Sequence, residues 1–155
     1  MGNIVIGYDL DGTISTKPVF NKSYFKSNGL ERKKYIEQKT YHCRNAELIN
    51  KPVGKFYIIT GRGLKYKNAT MSWLQDNNIK PIDIFFMTYP KTRTNMIKFK
   101  SEKVNELNID KYYEDDPIIV RRMRKFCLNT EIVQMDAQET LYDTSVNNLN
   151  EYLIT

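Results

Sequence analysis

The stretch Ile4-Val5-Ile6-Gly7-Tyr8-Asp9-Leu10-Asp11-Gly12-Thr13 is a short apolar run that ends in two aspartates and a glycine. The run has the length of a β-strand, and its apolar residues are continuous, as in a sheet that is covered on both faces. A second run, Phe56-Tyr57-Ile58-Ile59, ends at Thr60-Gly61-Arg62. A shorter run, Lys111-Tyr112-Tyr113, ends at Glu114-Asp115-Asp116. Three predicted strands therefore end in clusters of functional groups.

Helical patterns separate the strand-like runs. Two further strands are predicted at residues 82–87 and 132–135, and helices at 45–51, 64–78, 118–126 and around Met96, Phe99, Val104 and Leu107. Strands that alternate with helices imply parallel βαβ crossovers. The predicted fold class is therefore α/β, a Rossmann-like three-layer sandwich with a parallel central sheet.

Residues 13–44 differ from the rest of the chain because they are polar, basic and aromatic without clean periodicity. This pattern predicts a loop or flap over the sheet edge, too short for a separate cap domain. The sequence contains no internal repeat, low-complexity tract or Pro/Gly-rich linker. We therefore expect a single domain over residues 1–155.

Composition limits the function classes. The 155 residues are 41% hydrophobic and 27% charged, which is typical of one soluble globular domain. No apolar run approaches the roughly 18 residues that span a bilayer, and the N-terminus lacks the basic region of a signal peptide. We therefore expect an intracellular, cytoplasmic protein without membrane association. Two cysteines and one histidine are too few for a zinc site, and the net charge of +6 permits attraction to polyanions.

The carboxyl ends of the predicted strands form the candidate site, because ligands bind at that edge of open α/β sheets. The side chains expected there are Asp9, Asp11, Thr60, Arg62, Asp115 and Asp116. Four carboxylates that meet at one edge raise one another's energy unless a cation neutralises them, and oxygen ligands suit Mg²⁺. Each Asp-Gly or Asp-Asp-Pro could alone be a turn former. Their joint position at strand ends favours the metal interpretation.

The same residues carry a resemblance to a known family. Asp9-Leu10-Asp11-Gly12-Thr13 after an apolar strand resembles the DxDGT signature of the haloacid dehalogenase (HAD) superfamily of phosphotransfer enzymes. Thr60-Gly61-Arg62 resembles the second motif of that superfamily, Lys100 the third, and Asp115-Asp116 the fourth, in the required order. Lys98 remains an alternative for the third motif. The resemblance implies a HAD-like fold with a minimal cap and a Mg²⁺-dependent phosphatase, a phosphoric monoester hydrolase.

The resemblance also implies a role for each residue. Asp9 would be the nucleophile that forms an aspartyl-phosphate, and Asp11 would protonate the leaving oxygen and later activate water. The candidates for binding the substrate phosphate are Thr60, Gly61, Arg62 and Lys100. The candidates for metal binding are Asp9, Leu10, Asp11, Asp115 and Asp116.

The substrate class is suggested by a second local similarity. Residues 114–123 resemble the corresponding stretch of the phosphatase domain of phage polynucleotide kinases, which favours nucleic-acid ends or nucleotides as substrates. Lysines that neutralise phosphates and aromatic rings that stack on bases would form a rim to the site. The rim candidates are Lys22, Tyr24, Phe25, Lys26, Arg32, Lys33, Lys34 and Tyr35. The alternatives are a small-molecule phosphatase, such as a nucleotidase, and an inactive Mg²⁺-binding scaffold. His42 is predicted to be a loop residue without a catalytic role.

Overall fold

The computed structural model describes residues 2–20, 29–142 and 153–154, and the structural statements below concern these ranges. The strands are β1 (Ile6–Tyr8), β2 (Lys17–Phe20), β3 (Tyr57–Thr60), β4 (Asp83–Phe86), β5 (Lys111–Glu114), β6 (Glu131–Gln134), β7 (Glu139–Tyr142) and β8 (Leu153–Ile154). The helices are α1 (Gly29–Asn45), α2 (Lys67–Asp76), α3 (Arg93–Glu106) and α4 (Pro117–Phe126), and a 3₁₀ turn at Leu64–Tyr66 precedes α2.

The central sheet is parallel and has the strand order β4-β3-β1-β5-β6. Strand β1 lies in the middle, where Gly7 is in register with Tyr57 of β3 on one side and with Tyr112 of β5 on the other. The chain builds outward from β1 through β3 to β4, and then crosses to β5 and β6 on the opposite side. Such a reversal of strand order opens a crevice at the carboxyl ends of the central strands.

Helices cover both faces of this sheet. Ile58 and Ile59 are neighbours on β3 that point to opposite faces, and both are fully buried. Ile59 belongs to a core that includes Val104 of α3 and Met123 of α4. Ile58 belongs to a second core that includes Trp73 of α2. The molecule is therefore an α/β protein with a Rossmann-like, three-layer arrangement, as the sequence pattern predicts.

A second, three-stranded sheet was not evident from the sequence. Strand β2 pairs in parallel with β7, and β7 pairs antiparallel with β8. None of the helices in the described ranges has the length and apolar character needed to cross a lipid bilayer.

The sequence pattern predicts a helix over residues 45–51, and this prediction is wrong because α1 ends at Asn45. The loop or flap predicted over residues 13–44 also needs correction, since this segment contains β2 and the 17-residue helix α1. The inward residues of α1 include Gln38, Lys39 and His42, which are polar and buried. A helix with such a face shows no apolar periodicity. The rim candidates Lys22, Tyr24, Phe25 and Lys26 lie outside the described residues.

Candidate functional site

A cavity of about 230 Å³ lies at the carboxyl edge of the central sheet. Its charged lining consists of the carboxylates Asp9, Asp11, Glu114, Asp115 and Asp116 and the lysines Lys17, Lys39, Lys91 and Lys100. Strands β1 and β5 deliver the carboxylates, because each strand ends at the residues that carry them. The chain segments that the sequence predicts to converge do so at this cavity.

Three buried carboxylates form what we call the acidic cluster: Asp9, Glu114 and Asp115. One carboxylate oxygen from each residue lies within 4.8 Å of the oxygens from the other two. This spacing and this purely anionic donor set can bind a metal ion. Glu114 was not singled out by sequence reasoning. Glu114 lies two residues after the fully buried Tyr112 on β5, and residues two apart on a strand point to the same face. This spacing is the signal that could have placed Glu114 on a buried face.

The Nζ of the half-buried Lys17 lies 3.6 Å from Oδ2 of Asp115, whereas Lys100 is the buried cation of the acidic cluster. Its Nζ lies 2.9 Å from Oδ1 of Asp9 and 2.6 Å from Oε1 of Glu114, and the side chain is buried. Lys98 is exposed and lies over the ring of Tyr89, with Nζ 5.7 Å from the centroid. Because residues two apart on a helix do not share a face, only one of these lysines can reach the acidic cluster. The structure brings Lys100 there.

The acidic cluster contains more negative charge than Lys100 balances. Burial and the nearby charge of Asp9 raise the pKa of Glu114 to about 7 and the pKa of Asp115 to about 9. Although burial alone would lower it, the pKa of Lys100 lies well above its usual value because of Asp9 and Glu114. The carboxyl groups of Glu114 and Asp115 therefore both bind a proton more readily than an exposed carboxyl group does, and a bound metal ion would oppose this protonation.

Gly12 allows the loop of residues 9–13, which we call the motif loop, to approach the acidic cluster. Its φ angle is +85°, a conformation that side-chain-bearing residues rarely adopt. A Cβ atom at this position would also collide with the carboxylate of Asp115. Both observations explain why glycine follows the second aspartate of the motif.

Asp11 lies in a different set of contacts, which we call the Asp11 network: Arg62, Asp11, His42 and Tyr142. The Arg62 guanidinium donates two hydrogen bonds to the Asp11 carboxylate, from Nε to Oδ2 at 3.0 Å and from Nη2 to Oδ1 at 2.7 Å. Its Nη1 donates to Oγ1 of Thr70 at 2.9 Å. Arg62 is only 1% exposed, and its guanidinium is paired with the Asp11 carboxylate.

His42 and Tyr142 complete the Asp11 network. Nε2 of His42 lies 3.3 Å from Oδ1 of Asp11, and its Nδ1 lies 2.7 Å from the hydroxyl of Tyr142. His42 is buried in α1, so the prediction that it is a loop residue is wrong. A lone histidine in a polar stretch carries no periodic signal, and only the fold brings it next to Asp11.

The Asp11 network keeps the Asp11 carboxyl ionised. Burial would raise its pKa, but the charge of Arg62 and the hydrogen bonds from His42 and Arg62 hold the pKa of Asp11 well below the usual value. Burial lowers the pKa of His42 despite the neighbouring carboxylate. Asp11 is therefore a carboxylate in the free protein.

Thr60 is the last residue of β3, and Gly61 follows it at the edge of the cavity. Thr60 is buried, and its Oγ1 accepts a hydrogen bond from the backbone N–H of Arg62 at 3.1 Å. Gly61 lines the cavity, and a Cβ atom there would collide with Met96.

Leu10 and Asp116 have other engagements. The carbonyl oxygen of Leu10 accepts backbone hydrogen bonds from Thr13, Ile14 and Ser15, so it is directed into the motif loop. Asp116 caps helix α4, where its Oδ1 accepts hydrogen bonds from the N–H groups of residues 118 and 119. Burial would raise the pKa of Asp116, but these hydrogen bonds and Arg93 lower it. Asp116 therefore lies beside the acidic cluster rather than in it.

No protein-family model and no curated protein matches the sequence. Solved structures do resemble it. One is a chain of the Pnkp1/Rnl/Hen1 RNA repair complex, with a TM-score of 0.55 and 16% identity over 86% of this protein and 42% of that chain. Another, from a structure of the Pnkp1/Rnl/Hen1 complex, has a TM-score of 0.53 and 19% identity over 86% of this protein and 46% of that chain. The protein thus spans less than half the length of the chains it matches, and at this identity the likeness shows the fold alone.

Proposed function

We propose that this protein is a Mg²⁺-dependent phosphomonoesterase that acts through an aspartyl-phosphate on nucleic-acid ends or nucleotides. The observation that carries the proposal is the convergence of Asp9, Asp11 and Lys100 with the acidic cluster on one cavity. Phosphoryl transfer depends chiefly on positioning and on neutralisation of charge, and this set of groups serves both. The likeness to a chain of an RNA repair complex agrees with a nucleic-acid substrate.

In the first half-reaction, a carboxylate oxygen of Asp9 attacks phosphorus, and the bond from phosphorus to the leaving oxygen breaks. The proton that the leaving oxygen needs comes from Asp11, which takes it up from solvent when the substrate binds. The Asp11 network disfavours protonation of Asp11 in the free protein. A phosphate dianion beside Asp11 opposes Arg62, because a like charge raises the pKa of a carboxyl group. Binding of the substrate thus prepares Asp11 to act as the acid.

In the second half-reaction, a water molecule attacks the phosphorus of the aspartyl-phosphate, and its proton passes to Asp11. The bond between phosphorus and Asp9 breaks, which releases inorganic phosphate and restores the carboxylate of Asp9. The two hydrogen bonds from Arg62 hold the Asp11 carboxylate in a fixed orientation for this role. Asp11 therefore acts as the base in its resting ionisation state, and it releases the proton to solvent when phosphate leaves.

The residues at the acidic cluster fit Mg²⁺, because this ion prefers oxygen ligands and takes only a few protein carboxylates. Asp9 and Asp115 would hold it, with Glu114 close by and fixed by Lys100. When bound, Mg²⁺ supplies charge neutralisation for the phosphate oxygens. The predicted contributions of Leu10, Asp11 and Asp116 to metal binding are less well supported, because the carbonyl or carboxylate oxygens of these residues are engaged elsewhere.

The experiment is a phosphate-release screen with Mg²⁺ over nucleotides, sugar phosphates and oligonucleotides phosphorylated at the 3′ or 5′ end. We expect phosphorylated oligonucleotides to be hydrolysed better than mononucleotides, with an advantage that shrinks as salt rises, since lysine–phosphate contacts are screened. A salt-independent preference for a sugar phosphate or a mononucleotide would favour the small-molecule phosphatase. Absence of release from every compound would favour the inactive scaffold and contradict the proposal.

A further inference from the structure

Lys39 is a buried lysine on the wall of the candidate site. It belongs to α1, is 7% exposed, and lines the same cavity as Asp9 and Asp11. Its Nζ lies 4.9 Å from the ring centroid of Tyr66 and 5.8 Å from that of Tyr35. Among the described residues, no carboxylate lies within ion-pair distance of Lys39. Its charge therefore faces the cavity and two aromatic rings.

Lys100 shows what a buried lysine of this protein looks like when it is paired. Lys100 is 2% exposed, and its Nζ lies within 2.9 Å of two carboxylates. Buried charges are normally paired in this manner, because an unpaired ammonium loses its hydration without compensation. Lys39 departs from the rule, and departures of this kind concentrate at functional sites.

Lys91 places a second positive charge at the same part of the cavity. It precedes α3 in the chain and lines the cavity together with Lys39. Burial and the proximity of Lys91 lower the pKa of Lys39 to about 7 although the charge of Asp11 raises it, so the two lysine side chains act on each other. Two neighbouring cations that repel each other are jointly stabilised by an anion that contacts both.

We propose that Lys39 and Lys91 form a subsite for a second phosphate group of the substrate, the phosphodiester next to the terminal phosphate of a polynucleotide. This inference rests on the proposed function, in which the terminal phosphate binds at the acidic cluster. Lys39 and Lys91 line the same cavity as the acidic cluster, and neither forms an ion pair with a carboxylate of that cluster, so both remain available to a second phosphate.

The test compares Lys39→Met with Lys98→Met on two substrates. One is a dinucleotide with a terminal phosphate, which contains the adjoining phosphodiester, and the other is an aryl phosphate, which lacks it. Loss of a charge-assisted contact should raise the KM of Lys39→Met for the dinucleotide by about tenfold to a hundredfold. The effect on the aryl phosphate should be at least about tenfold smaller. Lys98→Met removes the same charge from an exposed part of α3, and it should behave as wild type.

A nucleoside 3′,5′-bisphosphate carries its second phosphate as a monoester instead of a phosphodiester. It therefore tests whether the subsite requires a phosphodiester. If Lys39→Met raises the KM for this compound as much as for the dinucleotide, the subsite recognises any second phosphate, and its assignment to the phosphodiester is wrong. Equal losses of Lys39→Met on dinucleotide and aryl phosphate would place Lys39 at the reacting phosphate and overturn the proposal. Unchanged KM for the dinucleotide would do the same.

Folding and binding provide readouts that do not need catalysis. Methionine replaces an unpaired ammonium by an apolar chain, so Lys39→Met should have a higher Tm than wild type, whereas loss of a structural lysine would lower it. Fluorescence anisotropy with a labelled, terminally phosphorylated dinucleotide should show weaker binding to Lys39→Met than to Lys98→Met. If wild type binds this probe without hydrolysing it, the phosphatase proposal fails and the subsite stands. If both variants bind it equally, the subsite fails.

Discussion

Asp9 and Asp11 are separated by one residue, yet they lie in opposite electrostatic surroundings. Asp9 belongs to the acidic cluster, where one lysine serves two carboxylates and a third carboxylate, Asp115, has its pKa raised to about 9 by burial and by Asp9. Asp11 is held by the guanidinium of Arg62 and by His42, and its pKa is lowered well below the usual value despite burial. A region with excess negative charge and a region with balanced charges thus begin only two residues apart in the sequence.

This difference teaches what each region depends on. The acidic cluster requires an added cation to bring all its carboxylates into the ionised form, so its properties should respond strongly to Mg²⁺. The Asp11 network has its own cation and its own hydrogen bonds. Its function should therefore depend on geometry and change little with Mg²⁺.

The largest effect on stability is expected for Lys100→Met, in the acidic cluster. The variant leaves Asp9 and Glu114 buried without their cation, and breaking a buried pair costs about 3–5 kcal/mol. Thermal unfolding should show this loss, and Mg²⁺ should raise the Tm of Lys100→Met more than that of wild type, since the metal compensates the carboxylates.

Lys98→Met is the matched control, because it removes a lysine two residues away that is exposed. Its Tm and its response to Mg²⁺ should equal those of wild type. If Lys98→Met loses activity while Lys100→Met keeps it, the assignment of Lys100 to the third motif is wrong.

A smaller effect, on kcat alone, is expected for Arg62→Lys in the Asp11 network. Lysine keeps the charge but cannot reproduce the two parallel hydrogen bonds to Asp11. Misplacement of Asp11 should lower kcat by about tenfold to a hundredfold. Steady-state kinetics distinguish this positioning role from direct binding of the substrate phosphate, which would instead raise KM and leave kcat unchanged.

Tyr142→Phe is a milder change than Arg62→Lys and lies at the far end of the Asp11 network. It removes only the hydroxyl that contacts Nδ1 of His42, so kcat should fall less than in Arg62→Lys. A response to Mg²⁺ as large as that of Lys100→Met would show that the two regions are not separate.

Much of the fold could be predicted because the central strands are continuous apolar runs in the sequence. Ile58 and Ile59 are buried on opposite faces of the sheet, and a continuous apolar run predicts this arrangement. The helix α1 could not be predicted, because its inner face carries Lys39 and His42 where an ordinary helix carries apolar residues. These polar residues face the candidate site. The residues that remove the apolar periodicity of α1 are therefore the same residues that line the site.

The candidate site could be predicted where it follows strand ends and not where it depends on the approach of distant segments. Asp9, Asp11 and Asp115 follow β1 and β5, and the order of the strands brings them together. His42 and Tyr142 meet at 2.7 Å although they are a hundred residues apart in the chain. No local pattern predicts such a contact, because it depends on packing of α1 against β7.

The most direct test of the central claim is the rate of phosphate release by Asp9→Asn in saturating Mg²⁺, measured on the best substrate of wild type. The amide keeps the shape of the side chain but removes the nucleophilic charge and a metal ligand. We predict that the rate falls by at least about a thousandfold while the variant remains folded. Wild-type rates in purified Asp9→Asn would contradict the assignment of Asp9 as nucleophile, and with it the proposed mechanism.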